Sequence, residues 1–180
     1  MYPTVELKSL RFEAWDTGER LLDDINFRIE PGERVGLVGA SGSGKTTLCF
    51  HLCALHQKAL MGTSAGELLI DGVDILKSPT HENARQFRPA MILQNPESQL
   101  FSLTVKEEIG LGMGTQSQER IDNAIQAMGL TGYEERELSR LSLGEKQRVV
   151  LAAYLVQAPS ILIYDEPSNS LDPDFQCQLL

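Results

Sequence analysis

A glycine-rich segment, residues 39–46, has the spacing of a phosphate-binding loop. It fits the pattern G-x-x-x-x-G-K-S/T at every specified position. Glycines let backbone N–H groups turn towards a phosphate, and the N-terminus of a following helix adds the positive end of its dipole. The Lys45 ammonium is expected to reach the β- and γ-phosphates, and the Thr46 hydroxyl to bind Mg²⁺. The pattern predicts binding of a nucleoside triphosphate; a chance Gly/Ser loop is the weaker alternative.

A second chemical feature follows the short apolar run 161–164. Asp165 stands where a carboxylate can hold the magnesium ion and its water shell. Glu166 comes next, where a carboxylate can polarise an attacking water. A strand followed by a solvated turn would explain these residues alone, but the phosphate loop favours the catalytic interpretation.

Such a site needs strands and helices in alternation to position it. Short apolar or alternating runs bounded by turn residues predict strands. They cover residues 5–7, 25–29, 34–38, 67–70, 91–93 and 161–164. We expect 34–38 to be a buried strand leading into the phosphate loop, and 161–164 to be a central parallel strand.

Helical patterns fill the intervals between these strands. Helices are predicted over 45–55, from Thr104 to about residue 128, and over 142–156, with Thr104 and Ser117 as N-caps and Gly129 as a stop. Strands alternating with helices, and a helical stretch in the middle, indicate an α/β sheet with a helical subdomain.

Composition narrows the class of protein. Sixteen Lys and Arg against 25 Asp and Glu leave a net charge of −9, which argues against nucleic acid or an anionic membrane as the partner. Three cysteines suggest a reducing compartment instead of a disulfide framework. No signal sequence is visible and no apolar run approaches the roughly 20 residues that span a bilayer, so we expect a cytoplasmic protein.

Three further segments identify a family. Residues 141–148 resemble the L-S-G-G-Q signature of ATP-binding-cassette (ABC) ATPases, 165–173 resemble their Walker B motif and D-loop, and Gln94 resembles their Q-loop glutamine. The resemblance implies a P-loop NTPase (RecA-like) core with an antiparallel β subdomain and an inserted α-helical subdomain. It assigns about 1–93 and 157–180 to the core and about 94–156 to the Q-loop and helical subdomain.

The resemblance also implies roles for individual residues. Glu166, Lys45 and Gln94 would be catalytic, while Thr46, Asp165 and Gln94 would hold Mg²⁺. The implied ATP contacts are Trp15, Gly39, Ser41, Gly42, Ser43, Gly44, Lys45, Thr46, Thr47, Ser142 and Gly144. Trp15 would stack on adenine, although a place in the core is the alternative. Ser142 and Gly144 would bind the γ-phosphate of ATP held by a second subunit, while a helix capping box with Glu145 explains Ser142 equally well.

The segment after Gln94 is more specific. Residues 94–101 read Q-N-P-E-S-Q-L-F, which resembles the ATPase subunits of energy-coupling factor (ECF) transporters, importers of vitamins and transition-metal ions. The resemblance implies that this segment docks membrane-embedded subunits at the cytoplasmic face of the membrane. The alternative functions are those of another ABC importer, a DNA-repair or translation ABC ATPase, a small-molecule kinase and a non-catalytic binding subunit. If the segment 94–101 has no function, it is a surface turn followed by a helix cap.

Two signature positions depart from the family pattern. Leu143 and Glu145 stand in place of glycine and glutamine, which adds bulk and negative charge where a phosphate approaches. A homodimer remains open, but we expect a heterodimer in which this chain's phosphate loop works with a partner's signature.

The histidines and cysteines complete the pattern. The family's switch histidine follows the D-loop, whereas His51, His56 and His81 all precede the signature. We therefore expect the 180 residues of the chain to be roughly the N-terminal two-thirds of a cassette. Such a chain should bind nucleotide weakly on its own and expose an unpaired sheet edge. Cys49 and Cys53 near His56 could imitate metal ligands, but packing behind the phosphate loop is the favoured interpretation.

Overall fold

The computed structural model describes residues 2–77, 87–113 and 118–165. These residues divide into two compact units. The first contains the described residues up to Met91 together with 160–163, and the second contains those from 92 to 159 together with Tyr164 and Asp165.

A four-stranded antiparallel sheet dominates the first unit. Its strands are β1 Val5–Ala14, β2 Arg20–Ile29, β3 Gly62–Ile70 and β4 Val73–Asp74, and they lie in the order β2-β1-β3-β4. Val5 pairs with Ile29 on one side and with Ile70 on the other, so the strands predicted at 5–7, 25–29 and 67–70 are confirmed.

An irregularity in β1 keeps its apolar side chains on the buried face. Leu7 and Leu10 are both buried although three positions separate them, because the register shifts between them at Ser9, whose φ is 47°. The Ser9 N–H donates to Asn26 Oδ1 at 2.7 Å, which supports the bulged backbone.

Helix α1, Lys45–Leu52, and the short α2, His56–Ala59, complete the first unit together with most of a two-stranded sheet, which consists of β5, Pro89–Ile92, and β6, Ile161–Tyr164. Leu48 on α1 belongs to the same apolar cluster as Leu7 and Phe12. Cys49 and Cys53 are buried in this packing and form no disulfide, and burial raises the pKa of Cys53 to about 12.

The prediction of a buried strand at 34–38 is wrong. These residues form no strand and are exposed, with Val38 at 92%. Apolar side chains favour a buried strand, but a strand also needs neighbours for its N–H and C=O groups. In the described part of the chain β5 and β6 pair with each other and neither pairs with 34–38. Within the described residues β6 lies in a two-stranded sheet with β5 and is half-buried, so it is not the central strand that was predicted at 161–164.

The second unit is helical. Its helices are α3 Val105–Ile109, α4 Gln118–Ala127 and α5 Leu143–Leu155. Thr104 caps α3 with a complete capping box, as predicted, and α3 ends at Ile109, so the helical stretch predicted from Thr104 to about residue 128 is divided between α3 and α4. Gly110 is the C-cap of α3, and Gly112 adopts a φ of 76° that a helix does not allow. Ser117 lies outside the described residues.

His51 on α1 is fully buried and takes part in a polar network. Its Nδ1–H donates to the Thr47 carbonyl at 2.8 Å, and its Nε2 accepts from the Ser64 hydroxyl at 2.9 Å. The His56 ring stacks on it at 4.8 Å and Phe12 meets it edge-on. Burial lowers the pKa of His51, and the weaker effect of the Thr47 hydrogen bond acts in the opposite direction.

His51 should therefore make folding stability depend on pH. The unfolded imidazole takes up a proton as the pH falls through about 6.5, while the buried one resists protonation to lower pH. The unfolded state then binds more protons, so the free energy of unfolding, constant in this respect above about pH 7, should fall below it by at most about 1.4 kcal/mol per pH unit. Urea unfolding at several pH values measures this slope. His51→Gln should flatten it, and an unchanged slope in that variant would assign the effect to another group.

Candidate functional site

The phosphate loop is an exposed turn that leads directly into α1. Gly44 is the N-cap of α1 with a φ of 86°, and its carbonyl accepts the Leu48 N–H at 2.9 Å. A Cβ on Gly44 would lie 2.4 Å from the Leu21 carbonyl oxygen of β2. A Cβ on Gly39 would lie 2.7 Å from Ser43 Oγ. Glycine at these two positions therefore allows the loop to close against itself and against the sheet.

The Lys45 side chain folds back across this loop. Its Nζ donates to the carbonyl oxygens of Gly39 and Ala40 at 3.0 and 2.9 Å. Both contacts are with the first residues of the loop, so the ammonium spans its entrance. A cation held there, beside the N-terminus of an eight-residue helix, suits the binding of an anion.

The remaining loop residues differ in exposure. Ser41, Gly42 and Ser43 are exposed, and so is Thr46, whose hydroxyl is of the oxygen type that Mg²⁺ prefers. Thr47 is buried, and its carbonyl is engaged by His51. The contacts predicted for these residues remain predictions.

Trp15 lies at the surface, with 71% of the residue exposed. Its indole N–H donates to Thr63 Oγ1 at 2.9 Å and its backbone N–H donates to the Met61 carbonyl at 3.1 Å, which ties it to the neighbouring strand β3. The alternative placing Trp15 in the core is therefore wrong. An anchored, exposed indole is available for stacking, and the adenine contact stays a prediction.

The signature segment forms the capping box at the start of α5. Ser142 Oγ accepts the Glu145 N–H at 3.3 Å, and Glu145 Oε2 accepts both the N–H and the hydroxyl of Ser142 at 2.7 Å. These bonds lower the pKa of Glu145. The carboxylate therefore turns back onto its own helix, while Leu143, half exposed, projects from the first turn. Gly144 is half-buried, and the phosphate contact predicted for Ser142 and Gly144 remains a prediction.

The segment around Gln94 is anchored to the helix that the signature begins. Gln94 itself is exposed after β5. Gln99 accepts the Leu93 N–H at 2.8 Å and donates to the Tyr154 hydroxyl of α5 at 2.8 Å. Lys146 of α5 pairs with Glu97 in the same segment. Gln99 belongs to the motif at 94–101, which by itself does not indicate this anchoring role.

Of the predicted Walker B motif and D-loop, the structure describes only Asp165. The Asp165 N–H donates to the Ile92 carbonyl at 2.9 Å at the end of β6, as expected for a residue leaving a strand. Glu166 and residues 170–173 lie outside the described residues.

The fold and the loop define a class: an α/β protein with a P-loop, an antiparallel β subdomain and a helical unit. The profile of the ABC transporter family matches residues 22–169. The chain belongs to this ABC transporter family, and the ABC-type resemblance of its sequence is confirmed.

The chain is similar in sequence to ATP-binding proteins of the predicted ECF subgroup. The chain is 36% identical over 176 residues to the energy-coupling factor transporter ATP-binding protein EcfA of Methanothermobacter thermautotrophicus, covering 94% of this chain and 55% of that protein. It is 36% identical over 175 residues to the cobalt import ATP-binding protein CbiO of Syntrophus aciditrophicus, covering 94% and 60%. It therefore spans a little over half of these relatives' length.

A solved structure shows the same fold. CbiO1 from Clostridium perfringens, described as part of the ABC transporter complex CbiONQ, superposes with a TM-score of 0.81 at 27% identity, covering 99% of this chain and 71% of that one. Within the residues that our structure describes, no helix is both long and apolar enough to cross a membrane.

Proposed function

We propose that the protein binds MgATP and hydrolyses it to energise a membrane transporter. The observation that carries this proposal is the loop at the start of α1, whose entrance is spanned by the Lys45 ammonium. Membership of the ABC transporter family supports the same conclusion.

In this proposal, different residues of the chain bind the phosphates, the magnesium ion, the attacking water and the adenine ring. The loop amides and the Lys45 ammonium bind the phosphates and neutralise their charge. Thr46, Asp165 and Gln94 would hold Mg²⁺ through oxygen ligands, and the bound cation would neutralise further phosphate charge. Glu166 orients and polarises the attacking water. Trp15 stacks on adenine from the end of β1.

The transporter is, in this proposal, an ECF-type importer. The segment 94–101 and the similarity to EcfA and CbiO support this subgroup over another ABC importer. A vitamin or a transition-metal ion is the corresponding cargo. The partners are membrane-embedded subunits at the cytoplasmic face and a second ATPase subunit.

We further propose that the second ATPase subunit is a different chain. Leu143 projects from the first turn of α5, and Glu145 already occupies Ser142. Both features weaken this chain's signature as a partner for ATP, so a stronger signature would come from the other subunit. Full ATPase activity from a homodimer would contradict the heterodimer.

Glu166→Gln tests the hydrolytic function in the assembled transporter. A side chain that no longer accepts a proton should lower turnover by about a hundredfold while MgATP binding stays unchanged. Phosphate release and binding of labelled ATP measure the two properties on one sample. Glu119→Gln on the exposed start of α4 is the matched control. Unchanged turnover in Glu166→Gln would refute the role of this residue.

A further inference from the structure

The Trp15 side chain is exposed and yet held in one orientation. Its indole N–H donates to Thr63 Oγ1 at 2.9 Å, and its backbone N–H donates to the Met61 carbonyl at 3.1 Å. The second bond fixes the backbone just after β1. The first fixes the plane of the ring, because the indole N–H lies in that plane.

The bond between Trp15 and Thr63 is not needed to compensate burial. Both residues are exposed, so water can serve the indole N–H and the threonine hydroxyl equally well. A hydrogen bond that replaces bonds to water adds little to the stability of the fold. Its main consequence is therefore the orientation of an aromatic ring whose surface stays open to a ligand.

Thr63 lies on a part of β3 that is itself well fixed. It pairs with Glu13 of β1, and its β-branched side chain restricts the direction of the hydroxyl. The next residue, Ser64, donates to His51 of α1 at 2.9 Å. The strand that orients the indole is therefore also tied to the helix that follows the phosphate loop.

We propose that Thr63 is a positioning residue of the nucleotide site, whose hydroxyl fixes the plane of the Trp15 indole for stacking on the nucleobase. This inference rests on the proposed function, in which Trp15 stacks on adenine. Thr63 acts only through the indole and does not itself touch the nucleotide. A ring that is oriented before the ligand arrives loses less conformational entropy on binding. The bond should therefore increase the affinity for the base and leave the affinity for the phosphates unchanged.

The experiment compares two ligands in the full-length ATPase: MgATP, and magnesium tripolyphosphate, which has the phosphates but no base. Thr63→Val removes the acceptor oxygen and keeps the branched shape that suits a strand, whereas Thr63→Ser keeps the oxygen. We expect Thr63→Val to weaken MgATP binding about fivefold without changing tripolyphosphate binding, and Thr63→Ser to restore most of the loss. Thr131→Val on an exposed turn of the second unit is the matched control. Equilibrium dialysis measures both affinities.

A spectroscopic signal and a double-mutant cycle separate positioning from general stability. The indole N–H resonance of Trp15, in protein containing isotope-labelled tryptophan, is assigned by its loss in Trp15→Phe. This resonance should shift in Thr63→Val, and its proton should exchange faster with water. Trp15→Ala should weaken MgATP binding more than Thr63→Val does, and adding Thr63→Val to Trp15→Ala should cause no further loss.

Three results would overturn the role of Thr63. They are an unchanged MgATP affinity in Thr63→Val, an equal loss of tripolyphosphate affinity in that variant, and a further loss when the substitution is added to Trp15→Ala. If the wild-type protein bound no MgATP, the proposed function itself would fail. If Trp15→Ala weakened MgATP binding and Thr63→Val did not, only the role of Thr63 would fail.

Discussion

Lys45→Ala should lower the affinity for MgATP by about a hundredfold and remove turnover with it, because truncating one member of a hydrogen-bonded charge pair costs about 2–5 kcal/mol. The ammonium already lies across the entrance of the phosphate loop, 3.0 and 2.9 Å from two loop carbonyls. Its removal takes away the countercharge for the phosphates and the donor that closes the loop. Equilibrium dialysis with labelled ATP measures the change.

A lysine outside the loop provides the control for this prediction. Lys8 on β1 is exposed, and its ammonium lies 3.2 Å from the Glu6 carboxylate. Lys8→Ala removes the same charge and length without touching the loop, so its MgATP affinity should equal that of the wild type. If Lys45→Ala also bound normally, the phosphates could not lie where the loop and α1 meet.

Gly44→Ala should destabilise the fold by about 3 kcal/mol and weaken MgATP binding, since a left-handed φ and a backbone clash add together. The φ of Gly44 is 86°, and the new Cβ would lie 2.4 Å from the Leu21 carbonyl oxygen. That oxygen belongs to β2, so it moves only if the strand or the start of α1 moves. Urea denaturation gives the change in the free energy of unfolding, and dialysis gives the change in affinity.

Gly72 supplies a matched comparison for the same substitution. Its φ is 78°, but a Cβ there meets nothing within 4 Å. Gly72→Ala should therefore carry the backbone cost alone, about 1–2 kcal/mol, and leave MgATP affinity unchanged. The difference between the two variants isolates the contact of Gly44 with β2. Equal destabilisation would show that this contact has no energetic importance.

Most elements were predictable because their signals are local. The capping boxes of Thr104 with Glu107 and of Ser142 with Glu145 are hydrogen bonds between residues three apart, so the sequence contains both partners in a fixed relation. The phosphate loop is equally local, since its glycines, lysine and helix start are contiguous. Structures of this kind form from neighbouring residues and do not depend on contacts with distant parts of the chain.

Elements that need distant partners were predicted less well. The apolar residues 34–38 have the composition of a buried strand, yet they are exposed because no described strand pairs with them. For Trp15 the sequence left a core position open beside the stacking position. The residue is exposed, and its indole N–H donates to Thr63, which lies 48 residues away along the chain.

The sequence by itself determined the family and the chemistry of the phosphate loop, because both depend on residue types at short, invariable spacings. Only the tertiary structure decided that Gly44 packs against Leu21, that Gln99 reaches Tyr154, and that Glu108 is buried. The first two contacts join residues that are remote along the chain. Although Glu108 lies close in sequence to Phe101, its burial requires the packing of other helices around α3. A carboxylate removed from water must find its hydrogen-bond donors within the protein, and Glu108 finds them in the N–H groups of Phe101 and Ser102.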